Sequence, residues 1–481
     1  MVMNEAYFNL PIFNKINDIG CIPVYISPME TFHTFISMVD GYLWGPPLLI
    51  LLMGTHLYLT FRLRFIQRFL PLAIRLSVTK EPDAKGDVSP FAALTTALAA
   101  TVGTGNIVGV ATAVAMGGPG AVLWMWLTGV FGIATKYAEA LLAVKYRVRT
   151  ADGTMLGGPM YALERGLGWK PLAIFFAIAA SVAAFGIGNM VQANSVSGLV
   201  KDTFGINPLW TGLVLAAMTG IVILGGVKWI SRTCEGLVPF MVIAYSLGCL
   251  VILVMNSSFL MPAISEIVRS AFSARAAGGG FVGASILMAA RYGIARGLFS
   301  NESGLGSAPI VAAAAQSRNP VRQALVSATG TFWDTVVVCA LTGLVVVTSM
   351  LKNGGLADLK GAALTHAVFA QIPVIGPIVL TVGLLTFVYS TILGWAYYGE
   401  RSIEYLVGKR GIAPYRILWT IAVAVGAVIS MPLVWDLADA ANALMAIPNI
   451  LSVLLLSGVV VRETKYFLWE GRIEEKATDE A

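Results

Sequence analysis

Arg296-Gly297-Leu298-Phe299-Ser300-Asn301-Glu302-Ser303-Gly304-Leu305-Gly306-Ser307-Ala308-Pro309 lies inside an apolar run that spans residues 278–313. As one α-helix that run would extend roughly 54 Å at about 1.5 Å per residue, well beyond a hydrocarbon core of about 30 Å. It also carries Arg291, Arg296 and Glu302, which are costly at membrane depth. A second run, 90–117, holds Thr101-Val102-Gly103-Thr104-Gly105-Asn106 at its middle. Non-helical backbone is tolerated inside a membrane only where it is buried in protein or lines a cavity. Both runs therefore predict discontinuous helices.

The surrounding composition supports a membrane setting. Of 481 residues, 57% are hydrophobic and only 12% charged, against about 25% charged in ordinary soluble domains. Such a chain has too little polar surface for a soluble enzyme, a disordered protein, a disulfide scaffold or a nucleic-acid-binding domain. Cys21, Cys234, Cys249 and Cys339 show no metal spacing, and Cys249 and Cys339 read as apolar filler. Residues 1–30 lack an apolar signal-peptide core, so no cleaved leader is expected.

Eleven runs are long enough to cross a bilayer as helices: 43–61, 90–117, 119–144, 171–200, 207–227, 234–256, 278–313, 322–350, 371–399, 413–434 and 436–461. None alternates with the period of a barrel strand. With the N-terminus outside, 23 of the 32 Lys and Arg fall in inward loops or the tail and six on the outer side. The remaining three, Lys136, Arg291 and Arg296, lie within spans. This asymmetry predicts a cytoplasmic C-terminus and explains the net charge of +6 without any nucleic-acid partner.

Setting aside the first span leaves ten, and each group of five opens with a broken helix. Because five is odd, the second group enters with opposite polarity, the layout of an inverted-repeat secondary transporter with its site at the breaks. The predicted fold is thus an all-α polytopic membrane protein. Residues 1–42 form an extracytoplasmic segment, 43–461 the transport domain with repeats 90–257 and 278–461, and 462–481 a cytoplasmic tail.

At the first break, freed amides at the start of a half-helix favour a carboxylate, and upstream carbonyls suit a hard cation. The plainer alternative is close helix packing over Gly103, Gly105 and Gly109. At the second, Phe299 would wall a small pocket, and Ser300 and Asn301 would bond an ammonium or carboxylate, whereas Arg296 and Glu302 read as a structural pair. Gln192, among Gly186, Gly188, Asn189 and Asn194, either holds a zwitterion or bonds a neighbouring helix. Thr391 and Trp395 share a helix face with Ser390 close by, unless the hydroxyls simply bond their own helix. Asp334 reads as structural, with ion or proton coupling as the alternative, and Lys136 and Glu139 as a local pair. There is no HExxH, Walker loop or nucleophile elbow, so no enzyme chemistry is expected.

The runs 96–113, 153–168, 186–195, 296–310, 330–335 and 389–401, with the start at 44–55, resemble the alanine/glycine:cation symporter family. The resemblance covers the chain from about residue 43. It implies a leucine-transporter-type fold of the amino acid–polyamine–cation superfamily, with one extra N-terminal helix before a five-plus-five core. It further implies import of alanine or glycine across a bacterial inner membrane, driven by Na+ or less often H+, with no obligate protein partner. By match to the motifs, Thr101, Thr104, Gly105 and Gln192 would hold the carboxylate. Thr101, Phe299, Ser300, Asn301 and Glu302 would face the amino group, and Phe299 and Trp395 would close the pocket. Ala99, Val102, Ser390 and Thr391 would bind Na+. Proton coupling, or an amino-acid sensor or channel without coupled transport, are the alternatives.

Overall fold

The computed structural model describes residues 28–81, 83–272, 286–429 and 432–477. Most of the expected N-terminal segment, the first residues of run 278–313 and the end of the tail lie outside them. Apart from one two-stranded hairpin, Val148–Arg149 with Met155–Leu156, the elements named among the described residues are helices and helical turns.

Among the described residues, eight helices are long and apolar enough to cross a membrane, making this a multi-pass membrane protein. They are α1 (Phe32–Arg62), α4 (Gly120–Lys145), α5 (Lys170–Phe204), α7 (Gly226–Met255), α10 (Pro320–Lys352), α11 (Ile375–Val407), α12 (Lys409–Val428) and α13 (Val434–Leu455). A ninth span is the bent pair α2 (Pro90–Thr101) and α3 (Gly105–Gly117), whose axes turn by 53°. Run 207–227 appears as a shorter apolar helix, α6 (Pro208–Leu224). Run 278–313 is described from α8 (Ile286–Asn301), which ends in a turn leading to the short α9 (Pro309–Ala312). Both expected discontinuities are therefore present.

The helices begin where the sequence supplies caps and prolines. Ser89 caps α2 by accepting from Ala92 N, with Pro90 at its first position. Asn319 does the same for α10, accepting from Arg322 N ahead of Pro320. α2 stops because Val102 is extended (φ −77°, ψ 94°).

Packing is reciprocal between the two groups of five. The second members, α4 and α10, pack on each other, as do the fourth members, α6 and α12. The third of the first group, α5, lies on the last of the second, α13, and α11 lies in the same way on α7. Such exchange of partners is what a pseudo-two-fold arrangement of repeats produces. α2 is enclosed by α7, α10 and α11, and α8 by α1 and α4, so both breaks sit inside the bundle.

Candidate substrate and ion site

The two breaks touch. A Cβ placed on Gly105 would lie 3.5 Å from both the Phe299 ring and Ser300 Cα. A side chain on Gly103 would collide with Thr391 Oγ1 at 2.7 Å, so glycine is what lets α11 reach the first break. A wide helical turn at Gly105–Gly109 leads from the break into α3.

Three of the four expected cation ligands converge there. The Ala99 carbonyl accepts from Ser390 Oγ (3.2 Å) and Thr391 Oγ1 (3.1 Å). Both hydroxyls also bond the Phe387 carbonyl of their own helix, at 2.8 and 3.0 Å, so the cation reading and the back-bonding reading describe the same side chains. Val102 is fully buried beside them at the kink. Oxygen-only donors of this kind suit a hard monovalent cation.

The expected substrate residues lie on the two breaks and on α5 and α11. Thr101 and Thr104 are buried at the break, and Thr101 Oγ1 lies 3.4 Å from the Leu98 carbonyl it donates to. Gln192 donates to Ile187 O (3.0 Å), and its side-chain oxygen is buried without a hydrogen-bond partner among the described residues. Trp395 is buried against Gly188, where a Cβ would come within 2.2 Å of the Trp395 Cβ, and it meets Tyr398 edge-on. Asn301 Oδ1 accepts from Ser303 N (2.9 Å), leaving Nδ2 buried and unpartnered. Glu302 adopts a left-handed backbone (φ 55°), uncommon for a non-glycine residue, and accepts from Ser307 Oγ. Trp395 and Lys136 also interact with it.

Several local readings of the sequence give way to longer-range partners. Glu302 takes its bond from Ser307 rather than pairing with Arg296, and Arg296 lies in the field of Asp439 and Asp40. Glu139 is not spent on Lys136. Its Oε1 accepts from Gly304 N and Gly306 N, both at 3.1 Å, and from Asn449 Nδ2 at 2.6 Å, so it secures the amides freed by the second break. Asn449 Nδ2 also donates to Gly304 O (2.9 Å).

Asp334 links the breaks. Its Oδ1 accepts from Asn106 Nδ2 (2.7 Å), and its Oδ2 accepts from Ser300 Oγ (2.9 Å) and Thr335 Oγ1 (2.6 Å). Asn106 Oδ1 in turn accepts from Gly103 N (2.8 Å). Cys339, read from sequence as apolar filler, contacts both Asn106 and Ser300 at 3.3 Å. The charge at Asp334 and the polar flank of the first break were the only sequence signals for this chain of bonds.

Two polar discontinuities buried face to face inside a helical bundle are the mark of a leucine-transporter-type fold. The crystal structure of MhsT in complex with L-phenylalanine is similar in fold, with a TM-score of 0.54, 16% identity, and coverage of 78% of this chain and 90% of that one. The sodium:alanine symporter family matches residues 29–480. The sodium/alanine symporter AgcS of Methanococcus maripaludis is 53% identical over 444 residues, 91% of this chain and 97% of that protein. The Bacillus subtilis protein named "Probable sodium/glutamine symporter GlnT" is 37% identical over 442 residues, 91% of each chain. The chain belongs to the sodium:alanine symporter family and is a cation-coupled amino-acid symporter.

Proposed function

We propose that this protein imports alanine or glycine together with Na+ by alternating access. The observation that carries the reading is the meeting of the Ala99 carbonyl with the Ser390 and Thr391 hydroxyls directly beside the first break. A cation there joins α2 of one repeat to α11 of the other, replacing hydroxyl bonds with ion contacts. Amino acid and cation then favour the same joined state, and that shared preference is the coupling.

The substrate carboxylate lies against the amides and hydroxyls from Thr101 to Gly105 with the second N–H of the Gln192 amide, whose free oxygen suits the ammonium of a zwitterion. The ammonium lies toward Ser300 and Glu302, and Phe299 and Trp395 limit the side chain to a small group. The full span count is eleven, with residues 1–42 outside, repeats 90–257 and 278–461, and the tail 462–481 in the cytoplasm. The 23-to-6 distribution of basic residues supports this orientation in a bacterial inner membrane.

Labelled alanine uptake into proteoliposomes tests the reading. Uptake should rise with an inward Na+ gradient and fall in Thr391→Ala. Uptake indifferent to Na+ overturns the coupling ion. Glu302, buried beside the pocket on a strained backbone, makes H+ the rival ion. Loss of pH-dependent uptake in Glu302→Gln, with no response to Na+, would select it.

A further inference from the structure

Lys136 is a buried cation that this function leaves unused. It is 3% exposed, and its Nζ has no hydrogen-bond partner among the described residues. Asn301 is 1% exposed, with Nδ2 equally unpartnered. The two residues line one cavity together with Thr101 of the first break, Ser327 and Gly330. That cavity borders both breaks, among α2, α9 and α10, and at about 10 Å³ it has room for about one water. Two buried donors from different helices facing one space are strongly unfavourable unless an acceptor visits them.

The surrounding charge selects the kind of acceptor. Glu139, Glu302 and Asp334 all interact with Lys136. Each already accepts from neutral groups: Glu139 through Oε1 from two backbone amides and Asn449, with Oε2 left buried and unpartnered among the described residues, Glu302 from Ser307, and Asp334 from Asn106, Ser300 and Thr335. Three acids share these surroundings with one lysine, so whenever more than one of them is ionised a simple anion such as chloride meets no surplus of positive charge. A carboxylate that carries its own ammonium adds no net charge and brings a cation for the acids.

We infer that Lys136 Nζ and Asn301 Nδ2 form a second carboxylate position for the transported amino acid, one step past the first-break amides. It rests on the transport reading above. Thr101 borders both positions, so the carboxylate passes from backbone amides to the ammonium as α2 and α9 part from α10 and the cavity widens. Lys136 therefore acts during passage more than during capture.

The test compares wild type, Lys136→Met, Lys136→Arg and Asn301→Asp in proteoliposomes, using whichever of alanine, glycine or glutamine the wild type carries. A wild type that carries none of the three overturns the transport reading, whereas the comparison among variants addresses Lys136. Turnover in Lys136→Met should fall about tenfold or more, as expected for loss of one charge-assisted hydrogen bond. KM should stay within about threefold, the split expected for a group that acts after binding. Lys136→Arg should restore most of the turnover. Asn301→Asp places a fixed carboxylate opposite the ammonium, so it should block passage while keeping or raising the melting temperature. Either Lys136→Met or Asn301→Asp with wild-type turnover overturns the inference. Turnover that follows chloride when lumenal chloride is exchanged for gluconate overturns the carboxylate assignment.

Discussion

At the scale of single residues, Asp334 is the side chain that ties the two breaks together. A carboxylate only accepts, and here its two oxygens collect three donors, one from each of Asn106, Ser300 and Thr335. Asn106 reaches the first break and Ser300 belongs to the second, so one acid holds both discontinuities in register. Replacing it by Asn turns one acceptor into a donor that faces existing donors. Asp334→Asn should therefore lower stability by about 1–3 kcal/mol and abolish most uptake. A double-mutant cycle with Asn106→Ala should show coupling of about 0.5–3 kcal/mol in detergent melts. Strictly additive losses would mean that the bridge is not a unit.

At the scale of elements, close approach governs the site. α5 passes through a wide turn at Gly186–Met190, which brings Gly188 against the Trp395 side chain of α11. A Cβ at Gly188 would come within 2.2 Å of the Trp395 Cβ, leaving no room for even a methyl group without moving α11. Gly188→Val should destabilise by about 1–3 kcal/mol through overpacking and displace the indole from the pocket. Melting temperature reads the first effect and substrate competition the second. A variant with unchanged melting and selectivity would show that α11 is not seated on Gly188. The second break is an element-level construction as well, because Glu139 of α4 and Asn449 of α13 supply the partners that its freed backbone needs.

At the scale of the whole molecule, distant parts of the chain are clasped at the end from which α2 and α10 start. Glu81 pairs with Arg322 and accepts from Arg318 N (2.8 Å), while Arg322 also contacts Glu474 of the tail (2.7 Å). Asn319 Nδ2 bonds the carbonyls of Ile473 and Glu475, both at 2.9 Å. Glu81 and Arg322 are both buried, so removing one charge strands the other. Glu81→Ala should lower stability by about 3–5 kcal/mol, a shift a thermal melt would register readily. A melt within experimental error of wild type would show that Glu474 alone suffices for Arg322.

Composition, run length and the placement of charged and glycine residues by themselves determined the membrane class, both helix breaks and most of the spans. Those features follow from the bilayer, which demands long apolar helices and confines irregular backbone and charge to protected positions. Partnership was decided only by tertiary structure. Lys136 and Glu139 stand three residues apart and read as a pair, yet Glu139 bonds a break 165 residues away and Lys136 faces a cavity. Asp334, 228 residues from Asn106, read as structural and proved to join the two breaks. Local spacing specifies which side chains share a helix face. It does not specify which helices meet, and in a bundle this tightly packed the buried polar groups find their partners across helices.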